Sequence, residues 1–177
     1  MKKKSFIMAL ALVLVFAVAV GGVVAWLTAK TAPVKNTFTV GDINIELKET
    51  TTAYKMVPGN NIAKNPTVTV KAGSEACWLF VEVEKSANFD TFMTYAMADG
   101  WKVLDGQTGV YYREVTATTA DTPFSVLKDN QVTVKDGVTK TQLEAVKTAN
   151  QPTLTFTAYA VQQDNMRDAA TAWAATK

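Results

Sequence analysis

The chain has 177 residues, 48% of them apolar, and a formal charge of +2. It contains no histidine and a single cysteine, Cys77. Those counts exclude a histidine general base, a histidine pH switch, zinc sites of the usual structural and catalytic types, and an internal disulfide.

The first element is a leader. From Phe6 to Leu27 there are 22 successive residues without a polar or charged side chain, preceded by Lys2, Lys3 and Lys4. A basic start, an apolar stretch and small residues after Gly21-Gly22 make the tripartite pattern of a secretory signal. Val23-Val24-Ala25 suits peptidase subsites for small or modest side chains. A signal peptide over 1–25 is therefore expected, cleaved between Ala25 and Trp26. The alternative is a retained anchor, because about 20 apolar residues span a bilayer. In both cases the bulk of the chain lies outside the cytoplasmic membrane, with the lysines inside. Taking 25 residues from 177 leaves 152, about one domain. Losing three of the 18 bases leaves 15 against 16 acids, so the balance turns from +2 to −1. The pI of 8.6 thus belongs to the precursor, and a nucleic-acid partner loses its support.

An irregular arm, 26–36, follows. Its β-branched residues and Pro33 keep it extended, and it leads into a strand. Such an arm can fold back on its own sheet or add a strand to the open edge of another subunit, with Trp26, Leu27 and Val34 filling pockets. Cleavage after Ala25 would then control assembly, since the arm is tied to the membrane until it is cut.

From residue 37 to 177 the dominant pattern is period-two alternation broken by Gly, Pro, Asn and Asp, which predicts short strands joined by turns. Expected strands are Thr37 to Val40, Ile43 to Leu47, Thr67 to Val70, Cys77 to Val83, Trp101 to Leu104, Val110 to Val115, Phe124 to Leu127, Gln131 to Val134 and Leu154 to Val161. The nearly continuous apolar run of Cys77 to Val83 predicts a central strand covered on both faces at its start. Short helices are expected over Thr141 to Lys147, with Thr141 and Glu144 spaced as a capping box, and over Met166 to Ala175, capped by Asp164 or Asn165 and anchored by Trp173. Strands at this density predict an all-β fold, a two-sheet jelly-roll-like sandwich with one or two short helices behind an N-terminal signal helix. The long connection from Lys48 to Pro66, with Pro58-Gly59 and Asn65-Pro66, reads as a packing or binding loop.

Candidate chemistry is sparse. Glu82 and Glu84 lie two apart on a strand, on one face, and read as solvated charges. Asp164 and Asp168 read as helix N-terminal charges, with calcium binding the weaker alternative. Cys77, in the most apolar strand, reads as a buried small hydrophobe rather than a nucleophile or an intermolecular disulfide. Trp78, Phe80, Trp101, Tyr111, Tyr112, Phe156 and Tyr159 read mainly as core, though the same residue types build stacking platforms. No catalytic residue, metal ligand or cofactor site is expected.

Several segments in order resemble one family. The leader's G-G-x-x-A-W-L-T, then Lys35 to Leu47 (K-N-T-F-T-V-G-D-I-N-I-E-L), Lys55 to Gly59, Lys64 to Val83 and Thr155 to Gln162 are similar to blocks of the TasA/camelysin family, secreted proteins whose leaders are cut by a SipW-type signal peptidase. The blocks are short, their order and spacing are fairly specific, and residues 86 to 152 are less distinctive. The resemblance implies a jelly-roll sandwich in the extracellular matrix or at the cell surface. It also implies self-association into biofilm fibres through N-terminal donor strands, with other matrix or surface proteins as further partners. Camelysin-type members have been described as surface metalloproteases, an activity this histidine-free chain has no zinc motif to support. A monomeric surface adhesin is the remaining alternative.

Overall fold

The computed structural model describes residues 41–50, 54–147 and 149–177. By contacts the chain divides into two units, Met1–Thr39 and Val40–Lys177, and the described residues belong to the second. The expected signal peptide and its helix, the arm over 26–36 and the strand from Thr37 to Val40 lie outside the described residues.

The described chain is mostly β, with three antiparallel sheets, three short α-helices and one 3-10 turn. In the first sheet, β1 (Ile45–Lys48) pairs with β3 (Thr67–Val70), which pairs with β8 (Thr122–Ser125). Register sets Ile45 against Val70, Leu47 against Val68 and Val68 against Phe124, so one face of this sheet is apolar. Because successive side chains alternate, Glu46, Lys48, Thr67 and Thr69 turn the other way.

The second sheet has the order β10 (Leu154–Gln162), β4 (Cys77–Lys85), β7 (Val110–Val115), β6 (Lys102–Val103). The apolar run in β4 is explained by both of its faces. Cys77, Leu79, Val81 and Val83 enter a core shared with Val68, Val70, Val115 and Val126. Phe80, on the opposite face, is fully buried against Leu104, Val110 and Trp173, with Trp78 beside it. Each such fully buried side chain stabilises the fold by about 2 kcal/mol relative to exposure. The cover on that second face is α3 (Ala169–Ala174), whose Trp173 meets Tyr159 edge-on at 5.1 Å and Phe80 at 5.4 Å.

A third sheet, β2 (Asn61–Ala63), β9 (Gln131–Val134) and β5 (Met93–Thr94), makes the described strands three sheets rather than the expected two. Two short pieces without readable periodicity create it. β2 emerges from the middle of the Lys48 to Pro66 connection, and β5 follows a single helical turn, α1 (Phe89–Phe92), that buries Phe89 and Phe92. With Val132, Val134, Leu127, Val138 and Val146 these residues form a core of their own.

The caps correct the sequence reading in detail. α2 (Lys140–Ala145) is capped by Thr139, which closes a capping box with Gln142, two residues before the expected Thr141 and Glu144. α3 is capped by Asp168, whose Oδ1 accepts from the Thr171 N–H at 2.8 Å, and not by Asp164 or Asn165. Asn165 has φ +64°, a turn conformation, so the helix starts later than Met166.

Candidate functional site

The residues singled out for processing and assembly, Ala25, Trp26, Leu27 and Val34, lie outside the described residues. Among the described residues, the longest edge strand and a cleft beside it stand out.

β10 is an edge strand nine residues long. It pairs with β4 along its whole length, from Leu154 opposite Lys85 to Gln162 opposite Cys77. Ser86 donates its N–H to the Thr153 carbonyl, and Gln163 donates to the Ala76 carbonyl, so odd-numbered residues of this stretch bond toward β4. By antiparallel alternation, the N–H and C=O groups of Leu154, Phe156, Ala158, Ala160 and Gln162 point to the other side. No described strand pairs there; β1 runs close by without forming a ladder with β10. The side chains of Leu154, Phe156, Ala158 and Ala160 meanwhile pack against the core shared by β3, β4 and β7, while Gln162 is exposed. An outward row of unpaired backbone groups is a template for another strand.

At the start of β10 the edge opens onto a cleft of about 560 Å³ between it and β2, itself an edge strand. Its apolar walls come from Met56, Ile62, Phe89, Met93, Val132 and Leu154. Tyr54 and Lys64 supply a polar end. Lys64 Nζ lies 2.9 and 3.0 Å from the two oxygens of Glu49, and the Tyr54 hydroxyl donates to Glu49 Oε1 at 2.7 Å. Lys64 also lies over the rings of Tyr54 and Phe156, at 5.1 and 5.3 Å. Burial, with the hydrogen bond to Glu49 adding, raises the Tyr54 phenol above its ordinary range. The polar end is therefore a neutralised group, and the cleft as a whole favours apolar or uncharged occupants. Sequence reading marks the Lys48 to Pro66 connection as a packing or binding loop. Neither the role of Lys64 nor the walls are legible there, because the lining converges from four separate stretches of chain.

The other chemistry-bearing residues have structural positions. Cys77 is fully buried, and burial pushes its thiol up to about 11, away from thiolate reactivity. Glu82 accepts from the Tyr159 hydroxyl at 2.9 Å and from Lys177 at 3.3 Å, while Glu84 is exposed. Of the aromatic residues, Phe80 is buried and Trp78, Tyr112 and Tyr159 are half-buried beside it. Among the described residues no group of three or more Asp, Glu, Cys or His side chains could hold a metal ion, and no helix is long and apolar enough to cross a membrane.

The fold thus defines a class, an all-β protein whose described strands form three antiparallel sheets, with the β10 edge, unpaired among the described strands, beside an apolar cleft. Compared with protein-family models, curated proteins and solved structures, the chain finds no match.

Proposed function

We propose that this chain is a secreted structural subunit of extracellular biofilm matrix fibres and not an enzyme. In this reading its sandwich is of the jelly-roll kind, and a SipW-type peptidase cuts after Ala25. The freed arm, Trp26 to Asn36, then adds as a strand to a neighbouring subunit.

The observation that carries the proposal is the edge of β10, which no described strand pairs, running into the cleft. The arm has eleven residues. Extended at about 3.3 Å per residue it reaches roughly 36 Å, enough to follow a nine-residue strand from end to end. Backbone hydrogen bonds along the edge would supply affinity, and the cleft would take an apolar side chain such as Trp26, Leu27 or Val34. Among the alternatives, a metalloprotease has no histidine ligand to use. An aromatic adhesin face is not favoured, because Phe80 and Trp173 are buried and Trp78 and Tyr112 pack beside them.

The test combines N-terminal sequencing of the secreted protein with electron microscopy of what it forms. Secreted protein should begin at Trp26 and polymerise, and deleting 26–36 should leave a folded monomer. Ala158→Pro removes an N–H that points away from β4, so it should block polymerisation while the monomer stays folded. Fibres from the arm-deleted chain would refute the donor-strand mechanism.

A further inference from the structure

On the side of the molecule where β8 and β6 are the edge strands, the cation of Arg113 has no anionic partner among the described residues. Arg113 rises from β7 on the same face as Tyr111 and Val115, toward the shared core. Its guanidinium carbon lies 4.0 Å from the centre of the Phe124 ring and 5.3 Å from that of Trp101. Trp101 is itself fixed by its indole N–H, which donates to the Ser125 carbonyl at 2.9 Å. Gly100 gives the group room, since a Cβ there would stand 2.8 Å from Arg113 Nη2. The backbone of Gly100 has φ +88°, so glycine serves both the turn and the close approach.

Two rings beside the guanidinium offer cation–π attraction but accept none of its in-plane N–H bonds. Nε is sealed from solvent without an acceptor. Among the described residues no carboxylate lies within ion-pair distance of Arg113, and the neighbouring cation, Lys102, is paired with Glu114 at 3.5 Å. Burial pulls the guanidinium below its ordinary pKa, the sign of a charge partly desolvated and uncompensated. Yet the residue keeps partial exposure, and of its three guanidinium nitrogens only Nε is both sealed and without a partner, which leaves Nη1 and Nη2 to meet a ligand. Leaving a cation in such a position costs free energy that an arriving anion would return.

We propose that Arg113, clamped by Phe124 and Trp101, is a binding site for a single carboxylate group. The planar guanidinium matches a carboxylate in geometry, and one positive charge balances a monoanion better than it balances a phosphate dianion. The carboxylate is either that of a small organic acid or one borne by an acidic polypeptide segment. This proposal is independent of the fibre reading, because it concerns the opposite side of the sandwich from β10.

The test follows the Arg113 Nε–H and Trp101 indole N–H resonances of the purified chain by NMR. Sodium acetate is titrated against sodium chloride at constant ionic strength, and a blocked alanyl-glutamyl-alanyl tripeptide is titrated in parallel. A saturable shift with acetate supports the site and shows that a free carboxylate suffices. Saturation with the peptide alone also supports it and assigns the carboxylate to a polypeptide. Arg113→Met should weaken binding about tenfold or more, read at Trp101. Phe124→Leu should weaken it by loosening the clamp while Arg113 remains observable, which keeps the test alive if Arg113→Met does not fold. If neither probe saturates, or chloride produces the same shift, the proposal is overturned.

Discussion

Lys64 Nζ and the carboxylate of Glu49 form an ion pair at 2.9 Å, with side chains only 10% and 15% exposed. The pair joins the chain just after β1 to the end of β2 and forms the polar end of the cleft. Removing one partner leaves the other charge with little water and no counter-ion. Lys64→Met alone, or Glu49→Leu alone, is expected to cost about 3 kcal/mol, while the double substitution costs much less because no charge is stranded. Urea denaturation midpoints of the four proteins check this, and additive losses would contradict it.

Two glycines with nearly the same backbone angle should respond differently to alanine. Gly109 (φ +77°) would bring a Cβ to 2.5 Å from the Val83 carbonyl oxygen, whereas Gly106 (φ +76°) faces open space. Gly106→Ala bears only the left-handed backbone cost, about 1 kcal/mol. Gly109→Ala adds a collision with the backbone of β4, so a loss of about 3 kcal/mol is expected. Thermal melts of the pair would show equal shifts if the close approach at Gly109 were unimportant.

Hydrogen bonding from Thr171, through side chain and backbone, lowers the Asp168 carboxyl from 3.8 to about 2, with Arg167 adding to the effect. A depressed carboxyl stabilises the folded state at pH values above its ordinary range. That contribution fades as pH falls from about 4 toward 2, where the folded-state carboxyl takes up its proton. Asp168→Asn should therefore flatten the acid limb of the stability profile in this window and leave the slope above pH 5 unchanged. Melting temperature against pH for both proteins measures it; parallel curves below pH 4 would show that the cap has no charge-dependent part.

Cys77 should be chemically silent while the protein is folded. Its side chain is fully buried and its thiol is pushed to about 11. Labelling with a thiol reagent at pH 8 should be negligible in the native protein and complete in urea. Rapid native labelling would mean that the strand opens locally. Cys77→Ser puts a hydroxyl at an apolar position and should cost about 1 to 3 kcal/mol, measured by denaturation.

Local pattern was enough for the strands that carry a readable alternation. β3 and β9 run over the residues that alternation predicts, because a strand with one buried face must write that face into every second residue, and β7 matches its predicted bounds with apolar residues on both faces. The two-sided burial of β4 was also readable, since Cys77 to Val83 offers apolar side chains to both faces. Capping positions were less readable: α2 and α3 each have several Thr, Asp or Asn residues near the start, and only the path of the chain selects Thr139 and Asp168. β2, β5 and α1 were not legible at all, being two to four residues long and held by burial of Ile62, Met93 and Phe92 in a common core.

Composition and order along the chain by themselves settled that the described part is built of strands, that Cys77 belongs inside it and that histidine chemistry is excluded. These are properties of single residues or of near neighbours, and neighbours along a strand carry the information. The edge of β10 left unpaired among the described strands, the cleft ending at Lys64 and the clamp on Arg113 were decided only by tertiary structure. Each depends on which strand has no partner, or on residues far apart in the chain arriving at one place, and no local periodicity encodes that.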